Sequence, residues 1–384
     1  MSELSDLSRR NDVHVMKPEG TEALIRALIE DGYEVIGPKV IAQAMLYEPY
    51  EAGETPPAGW TDEQDGGRYR LIARDDRKLF DYVVGPQGFK RYLFPPREKL
   101  WSAKRTPDGF AVGRDGAPAK AYAFFGARAC EVAAIAVQDR VFDNGEFADP
   151  TYNARRAKAF IVSVDCSRSA STCFCDSMGT GPAPEAGYDI RLSEIFEDGH
   201  HVLLVRSGSE AGAAILEKLD LKKAKKADLE KADANSRRAA EMQTRVMPED
   251  AREVLARNMK HSHWVEVGKR CLGCGSCTMV CPTCFCAAME DVTGLDPDSA
   301  ERWRQWDTCF SVNHSFIHGG AIRQEAWSRY RQWITHKLSF WHEQFGQSGC
   351  VGCGRCITWC PVAIDIVEET RTIRDSEKTE ALHG

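Results

Sequence analysis

The alternation of apolar and polar positions predicts strands and helices over the first two thirds of the chain and short, turn-rich segments after that. Thr21 to Asp31 puts Leu24, Ile25, Leu28 and Ile29 on one helical face, and Gly32 ends that helix. Tyr33 to Ile36 reads as a strand stopping before Gly37-Pro38. Glu51 to Gly67, rich in Gly, Pro and acidic residues, reads as a loop. Short strands are expected at Tyr69–Ala73 and Asp81–Val84, and Lys104 to Lys120 reads as a second polar connection. The clearest unit follows. Ala121 to Phe125 is an unbroken apolar run, Gly126 opens a turn, Cys130 to Phe142 has helical spacing, and Ala159 to Val164 is a second apolar run ending at Asp165-Cys166. Strand, helix, strand makes a βαβ unit with two parallel strands, and α/β folds place their sites at the carboxyl ends of such strands. Cys130 and Cys166 fall just past those ends, and Cys173 and Cys175 follow in one loop. The four are therefore expected to converge on one sheet edge.

Residues 187–191 and 201–205 read as closing strands, and Ser209 to Leu219 as a helix. The Lys/Ala/Asp/Glu run from Lys222 to Ala234 reads as a solvated helix face. Pro248 suits the first position of a linker helix over Glu249–Lys260. The resulting architecture is α+β. A mixed α/β domain spans residues 1–240 (βαβ core at 120–166), a linker helix 241–260, and a helical, ferredoxin-like two-cluster domain 261–370. The last of these carries a helical insert over about 287–345, and 371–384 is a charged, flexible tail.

The ferredoxin-like assignment comes from two cysteine runs. Cys271-Leu-Gly-Cys274-Gly-Ser-Cys277-Thr-Met-Val-Cys281-Pro282 and Cys350-Val-Gly-Cys353-Gly-Arg-Cys356-Ile-Thr-Trp-Cys360-Pro361 both follow the C-x2-C-x2-C-x3-C-P pattern of bacterial-type 4Fe–4S sites. Two-residue gaps let a tight turn aim three thiolates at one cluster, and Gly273, Gly275, Gly352 and Gly354 permit that turn. In two-cluster ferredoxins the fourth cysteine serves the other cluster. By that rule Cys271, Cys274, Cys277 and Cys360 hold one cluster, and Cys350, Cys353, Cys356 and Cys281 the other. Zinc sites stop at four ligands, so a third cysteine at the same spacing is surplus to them. Disulfides need an oxidising compartment, and the polar, acidic N-terminus has no signal-peptide pattern.

Composition narrows the classes further. Fifteen cysteines in a chain read as cytoplasmic point to metal. A net charge of -7 argues against nucleic acid, and a mean hydropathy of -0.41 with no long apolar run argues against direct membrane insertion. The insert interleaves Trp303, Trp306, Trp327, Trp333 and Trp341 with Arg302, Arg304, Arg323, Arg329, Arg331 and Lys337. That pattern suits a shell balancing cluster charge, or a docking face for a partner subunit, better than single-stranded nucleic acid. His314, His318, His336 and His342 have no ligand-like spacing. Thr283-Cys284-Phe285-Cys286 echoes Thr172-Cys173-Phe174-Cys175, and Cys284, Cys286 and Cys309 are expected to line the cluster pocket rather than ligate.

Several pieces occur in a telling order: Phe125-Gly-Ala-Arg-Ala-Cys130-Glu, Asp149-Pro-Thr-Tyr152 with Arg155-Arg156, Cys166, and Thr172-Cys-Phe-Cys-Asp-Ser-Met-Gly179. Then come the first run with Pro-Thr-Cys284-Phe-Cys286, Arg304-Gln-Trp306-Asp-Thr-Cys309, Val351-Gly-Cys-Gly-Arg355-Cys-Ile, and Pro361-Val-Ala-Ile-Asp365. Over about residues 120 to 366 the chain resembles the iron–sulfur beta subunit of cytoplasmic sulfhydrogenases (NAD(P)-linked nickel–iron hydrogenases), and it is similar to the A subunit of anaerobic sulfite reductases. The resemblance implies an electron-transfer subunit with two 4Fe–4S clusters. Its partners would be a flavin subunit that binds NAD(P) and a hydrogenase or sulfur- or sulfite-reducing subunit. It also draws attention to Cys130, Cys166, Cys173 and Cys175 without assigning them a role; their placement past the strand ends makes them a candidate third metal site, the alternative being free thiols. No G-x-G-x-x-G fingerprint follows a strand, which fits a separate flavin subunit. Two other functions compete with a non-catalytic carrier: a sulfur- or disulfide-reducing enzyme working at Cys173 and Cys175, and a redox-sensing binding module.

Overall fold

In a computed structural model of the chain, the described residues are 13–113, 119–197, 199–294 and 298–383. The first part runs through β1 (Val13–Met16), the helix Gly20–Glu30, β2 (Glu34–Ile41) and β3 (Ala44–Pro49). Two hairpins follow, β4 (Trp60–Asp65) with β5 (Arg68–Ala73), and β6 (Arg97–Thr106) with β7 (Gly109–Gly113). Next come β8 (Tyr122–Ala127), the helix Ala129–Phe142, β9 (Phe160–Val164), β10 (Ile190–Glu197), β11 (His200–Ser207), β12 (Lys222–Lys223) and the helix Lys226–Glu241. The last part contains β13 (Ala287–Thr293), β14 (Ser299–Trp306), a small hairpin of β15 (Phe316–Ile317) and β16 (Gly320–Ala321), and several helices ending with Ile366–His383.

The main sheet has the order β12-β1-β11-β10-β9-β8-β2-β3. Its middle four strands, β10, β9, β8 and β2, are parallel, and the flanking pairs are antiparallel. Apolar runs mark the parallel centre because both faces are covered. Ala123 and Phe125 of β8 pack with Leu24, Ile25 and Leu28 on one face, whereas Phe124 packs with Val132, Ile135 and Phe142 on the other. Gly126, with a φ of 81°, forms a bulge that returns Ala127 to the Phe124 side.

Several sequence expectations need correction. Residues 51–67 are a loop only in their first half; from Trp60 the chain enters the β4–β5 hairpin, whose register alternates Asp62 and Gln64 inward. Asp81–Val84 is buried but is no strand. Side chains satisfy its backbone instead: Asp62 accepts from Val83 N–H at 2.7 Å, Gln64 donates to the Val84 carbonyl at 3.1 Å, and Arg128 donates to Tyr82. The strand at Glu34 runs on through Gly37-Pro38. Pairing with β8 stops at Ile36, so the missing proline N–H breaks no bond on that side. Lys104–Lys120 holds the end of β6 and all of β7; its residues 114–118, like residues 1–12, lie outside the described residues. The helix Lys226–Glu241 is not merely solvated, since Ala232, Asn235 and Ala239 are buried. Pro248 precedes the linker helix, which is the short Ala251–Arg257.

The insert between the cysteine runs is helical only in its second half, residues 326–345. Its first half is the β13–β14 hairpin, which joins β6 and β7 in a four-stranded antiparallel sheet, so that the sheet spans the expected domain boundary. Asp149 explains how that hairpin is held. It caps the helix Pro150–Arg156 by accepting from Thr151 N–H at 2.9 Å, and it also pairs with Arg304 of β14. Arg304 and Arg155 both reach Glu98 of β6. The C-terminal tail is a packed helix at least through Glu377: Ile366, Val367 and Ile373 are buried, and Glu377 pairs with Arg257. Charge alone suggested fraying, but this apolar stripe holds the helix.

Phe124 lies in the centre of the sheet, so Phe124→Ala is expected to lower stability by about 3–5 kcal/mol in denaturant unfolding. A loss below about 1 kcal/mol would show that the sheet centre is not the core.

Candidate metal centre

The first cysteine run leaves the helix His263–Arg270 at Cys271 and turns through Gly273 (φ 64°) and Gly275 (φ 73°) into the short helix Ser276–Met279. These left-handed glycines bring Cys271, Cys274 and Cys277 around one cavity, and Cys360 from the far end of the second run lines it too. Backbone amides point at the sulfurs: Gly273 N–H donates to Cys271 Sγ at 3.4 Å and Ile364 N–H to Cys360 Sγ at 3.3 Å. Tyr330 and Trp333, one helical turn apart, complete the wall. The Tyr330 hydroxyl and Trp333 Nε1–H are buried with no partner among the described residues. Buried donors beside four thiols suit a site whose acceptors are sulfide and thiolate.

The second run repeats the turn, with Gly352 N–H donating to Cys350 Sγ at 3.5 Å. Cys281, from the first run, stands among Cys350, Cys353 and Cys356, and its charge bears on all three thiols. Burial pushes the Cys350 thiol up to about 12, against the pull of Lys337. Lys337 was not singled out by the sequence, where it is one cation among many. Its ammonium is buried and donates to Cys281 Sγ at 3.4 Å, to Thr283 Oγ1 at 2.8 Å and to the Gly349 carbonyl at 3.0 Å. Burial alone would lower its pKa; the Cys281, Cys284 and Cys350 thiols hold it well above the usual lysine value. Cys281 is correspondingly held low, by the Cys284 thiol and then by Lys337. Lys337 lies on a single π turn, His336–Phe340, a wide turn often found at functional sites.

Cys284 therefore stands beside Cys281. Cys286 stands beside Cys309, whose thiol lowers the Cys286 pKa. His314 is engaged by Asp307 at 2.5 Å, and His336 contacts Gln344 at 3.3 Å. Most insert arginines have structural partners: Arg302 pairs with Asp291, Arg304 with Glu98, and Arg331 donates to the Met259 carbonyl. Among the described residues no three cysteine, histidine or carboxylate side chains close on one ion. A cubane is wider than an ion, so its thiolates surround a cavity rather than a point.

Cys130, Cys166, Cys173 and Cys175 do gather at the carboxyl ends of β8 and β9, and all four are buried. Their loop is joined to the second run at close quarters. Phe174 N–H donates to the Gly352 carbonyl at 2.9 Å, and Thr172 and Thr358 share a hydroxyl hydrogen bond of 2.9 Å. A Cβ on Gly354 would lie 2.4 Å from the Thr172 carbonyl oxygen, which excludes any other residue there. Arg355 completes the joint. Its guanidinium donates to Glu131 Oε1 at 2.6 Å and to the Gly85 carbonyl at 2.7 Å, while Tyr47 donates to Glu131 Oε2 at 2.6 Å. Glu131→Gln is expected to destabilise the fold by about 3–5 kcal/mol, because it strands a buried guanidinium. Glu131→Gln with Arg355→Met should recover part of that loss in the same unfolding measurement.

Comparison with known proteins agrees with this geometry. A family described as a 4Fe-4S dicluster domain matches residues 270–364, which hold both cysteine runs. The chain is 31% identical to "Sulfhydrogenase 2 subunit beta" of Pyrococcus furiosus over 312 residues, covering 80% of this chain and 89% of that protein. No solved structure matches. With that identity over that length, and with a dicluster domain where the two cysteine runs lie, the chain belongs to the sulfhydrogenase beta-subunit family of iron–sulfur proteins.

Proposed function

We propose that this chain is a non-catalytic electron carrier in a cytoplasmic multi-subunit oxidoreductase. It relays single electrons between a flavin subunit that handles NAD(P)H and a hydrogenase or a sulfur- or sulfite-reducing subunit. Cys271, Cys274, Cys277 and Cys360 would hold one 4Fe–4S cluster, and Cys350, Cys353, Cys356 and Cys281 a second. Such clusters supply one-electron transfer when bound. The observation that carries the reading is the interleaving of the two runs. Cys360 lines the first-run cavity, Cys281 stands within the second set, and Cys356 borders the first cavity as well. Two centres built this way are neighbours by construction.

The chain's own residues then set conditions for transfer. Lys337 offsets thiolate charge at the second site, and the Gly273, Gly352 and Ile364 amides donate to sulfur. Phe310, Tyr330 and Trp333 screen the first site from one side. On the other side Cys274 is exposed and Leu272 is 66% exposed, which suits exchange with a partner at that face. No helix of the described residues is long and apolar enough to cross a membrane. Sulfur chemistry at Cys173 and Cys175 is the weaker reading, since both thiols are buried and burial pushes the Cys175 thiol up to about 12.

Iron and acid-labile sulfide on anaerobically purified protein, with EPR of the reduced form, test the relay. At least about eight irons per chain with interacting 4Fe–4S signals are expected, and four or fewer in folded protein would overturn it. Tyr330→Phe and Trp333→Phe each remove a donor that stabilises a reduced cluster. Each should lower one midpoint potential on the order of tens of millivolts. An unchanged potential in both variants would remove these side chains from the site.

A further inference from the structure

Of the seven cysteines outside the two runs, the four at the sheet edge take no part in the relay as described. Cys130, Cys166, Cys173 and Cys175 are each at most 8% exposed. They come from three segments: the first turn of the helix Ala129–Phe142, the residue after Asp165 past β9, and the loop that Gly352 and Val351 fasten over the same edge. Thr180 Oγ1–H donates to the Val351 carbonyl at 2.8 Å there. Cys130 and Cys175 pack in one buried cluster, and Cys173 packs with Val83 and Ala170 beside it. Cys175 bears on both Cys130 and Cys173, and Cys166 bears on Cys173 and Cys175. Gln243 Nε2–H donates to Cys175 Sγ at 3.2 Å.

A second observation is independent of the sulfurs. Arg128 is 1% exposed, and its guanidinium donates to the carbonyls of Asp165 (3.1 Å), Phe80 (3.0 Å) and Tyr82 (2.6 Å). Its Nη1 lies 4.0 Å from Cys166 Sγ. No carboxylate among the described residues forms an ion pair with it. An unbalanced buried cation is strongly unfavourable, and neutral thiols would leave it so; thiolates on a net-negative cluster would not. The guanidinium of Arg355, fully buried, stands by Cys353 and Cys130 with its Nη1 unpartnered.

We propose that Cys130, Cys166, Cys173 and Cys175 hold a third 4Fe–4S cluster beside the second. Each thiol gives up its proton to solvent as its sulfur bonds iron. Cys353, a ligand of the second cluster in the relay above, packs with Cys130 and Cys175. With clusters bound, these residues would place the third centre next to the second, so that one-electron transfer could run third, second, first, toward exposed Cys274. The site itself stands on Arg128 and the four thiols; only its place in the order rests on the relay.

The test is iron, acid-labile sulfide and zinc on anaerobically purified full-length protein, with quantified EPR, for the wild type and for Cys166→Ala and Cys173→Ala. The expected result is about twelve irons in the wild type. Each variant should lose about four, with the interacting signals of the two runs kept. The wild-type count stands even if a variant fails to fold. About eight irons in the wild type would overturn the proposal, with or without one zinc. So would about twelve irons retained in both variants, since the extra iron would then not depend on these thiols. About four irons in the wild type that vanish in Cys173→Ala would keep this site and sink the relay instead.

Discussion

Arg355 belongs by sequence to the second cysteine run, between Cys353 and Cys356, yet its charge is spent on the other end of the chain. The guanidinium is 0% exposed and held by Glu131, Gly85 and Gln87. A buried ion pair of this kind adds little net stability, but either partner alone is a stranded charge, so the two segments have one acceptable arrangement. Tyr47 occupies the second oxygen of Glu131, and Glu131 follows Cys130. The joint thus fixes the cysteines of the second run relative to the sheet edge. The glycines of that run serve the same contact, since Gly352 and Gly354 lie against the backbone of residues 172–175 with no room for a side chain.

Around this joint the protein manages negative charge in a dry interior. Thiolates and clusters are anionic, and burial drives isolated thiols toward the neutral form. The structure answers with Lys337 at Cys281 and Arg128 at Cys166, with amide donors along the runs, and with unpartnered donors at the first cavity. Other cations of the insert are neutralised by carboxylates, Arg302 by Asp291 and Arg304 by Glu98. The basic, aromatic appearance of that stretch therefore has two origins. Part of it is cluster charge balance, and part is the seam between β14 and β6.

Local signals were strongest where one segment determines its own conformation. The C-x2-C-x2-C-x3-C-P spacing, the glycines within it, and the apolar runs of β8 and β9 are of this kind, and the βαβ unit follows from them. Signals failed where the partner is far away in sequence. Residues 81–84 looked like a strand because Tyr82, Val83 and Val84 are strand-forming residues, yet distant side chains satisfy their backbone. The β13–β14 hairpin was hidden by its tryptophans and arginines; Glu98 and Asp149, the partners of Arg304, lie some two hundred and one hundred and fifty positions earlier. The C-terminal helix read as frayed because its stabilising contacts, with the helix Ala251–Arg257, are tertiary.

The sequence by itself therefore determined the chemistry on offer: two cluster-type cysteine runs, a parallel βαβ core, and four further cysteines placed past strand ends. Spacing and periodicity are properties of consecutive residues, and they carry that much. Only the tertiary structure decided that Cys356 also lines the cavity of the first run, and that Lys337, Arg128, Tyr330 and Trp333 face the sulfur sites. Whether a buried charge or donor has a partner depends on what the fold brings within a few ångströms of it, and no local pattern records that distance.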